Sequence, residues 1–269
     1  MSKDKALLEF TASNRVAWNE SANEHRNARF PMLCEKFRNP DYLYLGDLEV
    51  AFFNQLNVKG MSVAQLACNN GRETLSIKRL GAARAVGFDI SQAFIDQGHE
   101  LAAIANVKCE LVASDVYEIP HSYDKQFDLV FVSVGALMLM PDLKPFMGVA
   151  KRLLKKGGKI FLYERHPMLD MFDWDDKNDP PIMTSSYFET EPHVFEEVCN
   201  YWTKETYKCS PMYTFHHKLS DVFKALIGND FNIEHFDEYE HDVSEMYVAF
   251  EKLRIKPALC YTLVATLNE

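Results

Sequence analysis

From residue 61 onward, short apolar runs alternate with amphipathic stretches, and this alternation limits the possible folds more than any other feature of the chain. Strands read over MSVAQLA (61–67), ARAVGFD (83–89), CELVAS (109–114), FDLVFVSV (127–134) and KIFLYE (159–164). Helical spacing fills the intervals at about 72–80, 91–105 and 142–155. Runs that are apolar at successive positions belong to strands buried on both faces. Such strands need helices above and below a parallel sheet. Crossovers in such a sheet are right-handed, so a doubly wound, three-layer α/β sandwich is expected.

The flanks read differently. Residues 3–30 carry apolar groups at helical spacing (Leu7, Leu8, Val16, Ala17) and predict one or two helices. Pro31 and Pro40 punctuate the next stretch, and Asp47 is placed to cap a helix over 48–56. After residue 165 the alternation lapses. Residues 167–212, rich in Pro, Asp and aromatics, are too long for a plain connection and predict a lid or insertion. A helix over 218–228 and strands over 231–239 and 259–267 close the chain. With no helix between them, the last two strands predict an antiparallel edge on a seven-stranded sheet. The expected organisation is one domain: an N-terminal helical cover (1–60), a core (61–165), an insertion (166–215), and a C-terminal helix with two strands (216–269).

Composition bounds the partners. No apolar run reaches the ~18 residues of a membrane span. The start, MSKDKALLEF, lacks the long apolar stretch and cleavage site of a secretion signal, so a cytoplasmic location is expected. The six cysteines show no CxxC pair or metal-ligand spacing, and read as free thiols in a reducing compartment. A net charge of −10 argues against nucleic acid and for a small-molecule partner. No metal is expected. The acidic run DWDDKND (173–179) has no calcium-loop spacing and reads as a solvated loop. Oligomeric state is left open.

In open parallel sheets, ligands bind beyond the carboxyl ends of the strands, where strand order reverses. The loop after the first strand, Ala67-Cys68-Asn69-Asn70-Gly71, falls there. Asp89 ends the second strand 22 positions after Ala67, where a carboxylate can accept both ribose hydroxyls of a nucleoside cofactor. A dinucleotide needs its pyrophosphate against bare backbone, which Ala67 and Asn69 would crowd. A nucleoside cofactor without phosphates does not.

The segment resembles the class I S-adenosylmethionine-dependent methyltransferases, whose first motif reads as an acid, a hydrophobe and GxGxG. QLACNNG keeps the frame and the last glycine, with Gln65 for the acid and Ala67 and Asn69 for two glycines. VGFDIS resembles the ribose-binding segment and ASDVYEIP (113–120) the third-strand motif. FDLVFVSVGALMLMPDL and AKRLLKKGGKIFLYE resemble the fourth strand, the next helix and the fifth strand. The N-terminal AWNESANEH resembles the helical cover of some small-molecule members. The resemblance spans about residues 61–165 and implies a Rossmann-like fold with S-adenosylmethionine as cofactor. The cofactor residues implied are Trp18, His25, Ala67, Cys68, Asn69, Gly71, Asp89, Ile90, Ser114, Asp115, Val116, Ser133 and Val134, with Asp115 toward the adenine amino group.

Plainer roles compete for the same letters. Gly71 could simply start a helix, Asp89 could cap the helix beginning near Ser91, and Asp115 could serve the turn before Pro120. Ser133 and Val134 could be core. His166, after the fifth strand, is the candidate general base, with a surface or loop histidine as the alternative. Met138, Tyr187, Tyr201, Tyr213 and His217 are the candidate acceptor pocket, with Phe188 and His216 nearby in sequence. The expected reaction is methyl transfer to a small molecule. Two rivals are a non-catalytic cofactor- or partner-binding protein on this fold, and an NAD(P)-dependent enzyme.

Overall fold

The computed structural model describes residues 3–172, 181–200, 203 and 205–268. The chain forms α1 (Lys3–Phe37), α2 (Asp47–Gln55), β1 (Ser62–Leu66), α3 (Arg72–Arg79), β2 (Arg84–Asp89), α4 (Gln92–Ala105) and β3 (Glu110–Ala113). β4 (Phe127–Val132), α5 (Leu143–Leu153), β5 (Leu154–Arg165), β6 (His193–Cys199) and β7 (Thr206–Thr214) come next. α6 (Leu219–Ile227), β8 (Phe231–Tyr239) and β9 (Cys260–Leu267) complete it.

Seven strands make one sheet in the order β3-β2-β1-β4-β5-β9-β8. Strands β1 to β5 pair in parallel, as their unbroken apolar runs require. β9 pairs antiparallel with both β5 and β8, so the antiparallel strand sits one place in from the edge. β1 has β2 on one side and β4 on the other, and strand order reverses between β1 and β4. The loops after these two strands therefore face each other across a crevice.

Each sheet face has its own core. On one, Leu66, Phe88, Val130 and Ile160 pack with Phe146, Met147 and Leu153 of α5 and Leu226 of α6. On the other, Phe52 and Phe53 of α2 meet Phe131 and Phe161, with the Phe131–Phe161 rings stacked at 5.3 Å. β5 starts directly where α5 ends, earlier than KIFLYE predicts, and its register against β4 shifts between Phe127 and Leu129.

Two further features differ from expectation. The first segment is a single helix of 35 residues running through Pro31, with Phe30, Leu33 and Phe37 packed on Leu75 and Leu101. Pro31 removes one backbone donor, and packing on both sides of it holds the helix together. The insertion holds an antiparallel hairpin, β6–β7, where no strand was predicted. The acidic run 173–179 and Tyr201 lie outside the described residues.

Arg79 fastens the cover to the core. Its guanidinium donates to the carbonyls of Asn39 (2.9 Å), Tyr42 (2.7 Å), Phe37 (2.8 Å) and Ala105 (3.2 Å). Phe37 and Ala105 end α1 and α4, whose last carbonyls have no partner within their own helices. One planar fork thus caps two helices, which a lysine's point charge cannot do. Arg79→Lys is expected to cost about 2 kcal/mol and lower Tm by several degrees, measured by thermal unfolding.

Candidate active site

The loop after β1 keeps a glycine-like backbone without the glycines. Ala67 (φ 54°), Asn69 (φ 52°) and Gly71 (φ 68°) all lie in the left-handed region, at every second position. Asn tolerates that region because its short side chain bonds locally; Ala there costs roughly 1–2 kcal/mol. Asn69 Oδ1 accepts the N–H of Asn70 at 2.9 Å, and Asn69 N–H donates to Asp89 Oδ2 at 2.7 Å. Gln65, buried where the motif has an acid, accepts from Thr74 Oγ1 (2.6 Å) and donates to Ser133 Oγ (3.1 Å). A neutral amide can do both, and it joins the loop's helix to the end of β4.

A cavity of about 870 Å³ opens at the reversal between β1 and β4. Twelve of the thirteen residues named as cofactor contacts line it: Trp18, His25, Ala67, Cys68, Asn69, Asp89, Ile90, Ser114, Asp115, Val116, Ser133 and Val134. Gly71 does not. It starts α3 with its Cα facing Leu111, whose side chain would lie 2.6 Å from an added Cβ. The helix-starting role therefore holds for Gly71, and it shapes the loop from behind.

Asp89 accepts one backbone N–H on each oxygen, from Asn69 (2.7 Å) and Ser91 (2.9 Å). Each oxygen keeps a lone pair for a further donor. Burial raises its carboxyl to about 6, against the pull of the two N–H groups and the Arg72 charge. Asp115 serves the turn and also lines the cavity. Its Oδ1 accepts Tyr117 N–H at 3.0 Å and starts a 3₁₀ turn, while the residue faces the cavity. From α1, Trp18 packs edge-on against His25 and Phe94, and its buried indole N–H finds no acceptor among the described residues. His25 is lowered to about 4 by burial and by Arg72, so it faces the cavity neutral. A carboxylate with spare lone pairs, a second carboxylate beyond it and an unpaired N–H suit the hydroxyls, amine and polar tail of a nucleoside cofactor.

At the other end, Met138 lines the cavity as expected, but the other described candidates, Tyr187, Tyr213 and His217, do not. The Tyr187 hydroxyl accepts Leu219 N–H at 3.2 Å. Tyr213 exchanges backbone bonds with the Asn14 side chain and packs its ring on Phe10. His217 Nε2 lies 2.6 Å from the Met140 carbonyl, beside a separate small cavity. His166 is only 2% exposed and lines neither cavity. Its Nδ1 accepts Met168 N–H at 3.1 Å and its Nε2 lies 2.9 Å from Glu238. It is spent on structure and corrected as a base.

The wall these residues were expected to form comes from elsewhere. Arg165 and His216 both meet Asp170, at 2.5 and 2.9 Å. Phe195 and Glu197 of β6 and Met212 and Thr214 of β7 line the cavity from the hairpin, at alternate strand positions. Tyr44 contributes a ring flanked by two guanidiniums, Arg72 at 4.7 Å and Arg29 at 5.3 Å. The doublet in YLYLG is the one signal that could have drawn attention to it. Among the described residues no cluster of His, Cys, Asp and Glu is arranged to hold a metal ion. No described helix is long and apolar enough to cross a membrane. Cys34, Cys68, Cys109, Cys209 and Cys260 are unpaired thiols.

Residues 63–158 match the methyltransferase domain family. Together with the sheet order and the cavity, that match decides the class. Residues 63–158 are a methyltransferase domain, and the fold around them is the one S-adenosylmethionine-dependent methyltransferases share. Among curated relatives, the tRNA U34 carboxymethyltransferase of Campylobacter lari is 24% identical over 138 residues, 51% of this chain and 44% of that one. A sterol 4-C-methyltransferase of Caenorhabditis elegans is 28% identical over 126 residues, 46% of this chain and 36% of that one. The matches thus span less than half the length of these relatives. The crystal structure of an S-adenosylmethionine-dependent methyltransferase from Mesorhizobium loti shares the fold with a TM-score of 0.61. It has 17% identity, over 82% of this chain and 98% of that one.

Two variants probe the methyltransferase's cofactor end through the product analogue S-adenosylhomocysteine, titrated by calorimetry. Asp89→Asn should bind roughly tenfold more weakly. With ionised Asp89 as the expected acceptor, wild-type affinity should fall as the pH drops through about 6, and Asp89→Asn should lack that fall. Trp18→Phe keeps an aromatic ring and removes the N–H. Its affinity should drop about fivefold, more than any small fall in Tm from the trimmed ring accounts for, because the N–H has no acceptor among the described residues without a ligand.

Proposed function

We propose that this methyltransferase transfers the methyl group to a small-molecule acceptor held beneath α1 and the β6–β7 hairpin. The observation that carries the proposal is the cavity itself. At about 870 Å³ it lies near the upper end of ~300–1,000 Å³ ligand pockets, with one end suited to the donor and a second, differently lined end left over. That second end mixes apolar walls (Met138, Phe172, Phe195, Met212, Phe215) with the Arg165–Asp170–His216 group, which fits a partly apolar acceptor with a polar end.

Charge supports a small acceptor over RNA. The lining carries Glu49, Glu73, Asp89, Asp115, Asp170, Glu197 and Glu245 against Arg29, Arg72 and Arg165, in a chain of net charge −10. A polyanion approaching this mouth meets carboxylates, where RNA-binding surfaces supply cations. The same surplus disfavours the pyrophosphate of a dinucleotide.

When bound, S-adenosylmethionine supplies a methyl group already activated on a sulfonium. Asp89 would hold the ribose, Asp115 and Val116 the adenine, and the 67–69 and 133–134 backbone the remainder. The chain's contribution is then alignment of two molecules and exclusion of water, which can supply effective molarities of ~10⁵ M or more. For an acceptor that must lose a proton, Glu49 is a lining group of suitable range, since burial raises its carboxyl to about 7.

Labelled S-adenosylmethionine incubated with panels of amines, alcohols, phenols and thiols tests the proposal. Label should enter a molecule small enough for the cavity and should not enter tRNA or protein. Label in a macromolecule would overturn the acceptor class. Calorimetric binding of NADH in place of S-adenosylhomocysteine would overturn the donor. Donor binding without turnover on any acceptor would make the protein a binder.

A further inference from the structure

The turn after β4 has a fastening that the letters of its own segment do not announce. Glu164, one residue from the end of β5, is 3% exposed. Its Oε2 accepts the N–H of Gly135 at 2.7 Å, and its Oε1 accepts those of Ala136 at 2.9 Å and Leu137 at 3.0 Å. Three successive backbone donors thus converge on one carboxylate, the arrangement by which a turn binds an anion, with the anion here supplied by the neighbouring strand. The turn so held presents Ser133, Val134 and Met138 to the cavity, across from the 67–69 loop. Glu164 itself lines only the small cavity behind the turn.

We propose that Glu164 is a positioning residue, whose ionised carboxylate draws the 135–137 turn into the shape that receives the methyl donor. The proposal rests on the methyl-transfer reading only for the identity of that donor.

Holding a charge there is costly. Burial raises the Glu164 carboxyl to about 7, with the three N–H groups and the Arg165 charge pulling the other way. The groups around it come from four elements. Arg165 is its neighbour on β5 and pairs with Asp170 of the following turn. Tyr261 lies opposite on β9, its hydroxyl raised by burial. His217, lowered by burial, comes from the segment before α6. With these groups Glu164 borders a cavity of about 30 Å³, room for one water. Because the folded-state value lies above the unfolded one, the stability linked to Glu164 is fully present below about 4.5 and is lost as the pH rises through about 7. The form that shapes the turn is therefore the form the fold tolerates least.

The test compares wild type, Glu164→Gln and Glu164→Asp from pH 5.5 to 8.5, by S-adenosylhomocysteine calorimetry and by thermal unfolding. Wild-type affinity should rise as the pH passes about 7, and Glu164→Gln should be about tenfold weaker at pH 8 without that rise. The Asp89 titration is common to both and cancels in their ratio. The Tm of Glu164→Gln relative to wild type should increase with pH. Glu164→Asp keeps the charge but falls short of the three donors, so it should bind several-fold more weakly while retaining the pH step. Equal affinity of Glu164→Gln and wild type at pH 8, or a ratio independent of pH, overturns the proposal. If Glu164→Gln does not fold, wild-type affinity in Glu164→Asp overturns it instead. Failure of wild type to bind at any pH would sink the donor assignment alone. Amide exchange at 135–137 then decides the turn: about tenfold faster in the variants supports the proposal, and unchanged exchange overturns it.

Discussion

The site depends on one carboxylate at the end of β2. Asp89 ties the backbone of the loop after β1, through Asn69, to the start of α4, through Ser91. That pair of bonds holds open a loop whose side chains alone would not define it. The same point carries the cover, because Asn19 Oδ1 accepts from both Ser91 Oγ (2.9 Å) and Ala93 N–H (3.1 Å). A ligand on Asp89 thus lies two hydrogen bonds from α1. Close packing limits the loop from behind as well: a Cβ on Gly98 of α4 would approach the Asn70 carbonyl to 2.9 Å.

The cover acts as a helix joined to a hairpin. Asn14 on α1 both donates to and accepts from the Tyr213 backbone, as a neighbouring strand would. Ser13 donates to the Pro211 carbonyl, and Glu20 accepts from Ser210 N–H and Oγ. Polar side chains of a helix therefore satisfy the free edge of β7, which would otherwise leave unpaired backbone groups beside the cavity. Anything that shifts α1 carries the hairpin wall, and with it the acceptor end.

Much of this was legible in the sequence, for definite reasons. Strands buried on both faces must be apolar throughout, so the core sheet showed itself in FDLVFVSV and KIFLYE. Asp89 and Asp115 were legible because strand ends in this topology must point at the crevice. The letters said least at Ala67 and Asn69, which stand where the motif has glycines and yet keep the left-handed backbone. Side-chain direction was the weakest inference. His166 and Arg165 are adjacent, yet Arg165 lines the cavity and His166 turns to Glu238, because successive residues leave a strand on opposite sides. The hairpin was illegible for the same reason. Its cavity-lining residues share a face only once the register of β6 on β7 is known, and KCSPMYT gives no clean alternation.

Asp89 and Glu164 turn out to be a matched pair. Each is a buried carboxyl raised by desolvation, each is satisfied by backbone N–H groups, and each fastens the loop of the neighbouring strand. Asp89 holds the loop of β1 from β2, and Glu164 holds the turn of β4 from β5. The two strands at the reversal point thus receive their loop shapes from the strands outside them. Neither loop could be fixed by apolar packing, since both must stay open to a ligand on one side. A buried anion accepting backbone donors is directional where packing is not, and burial raises both carboxyls against the pull of those donors.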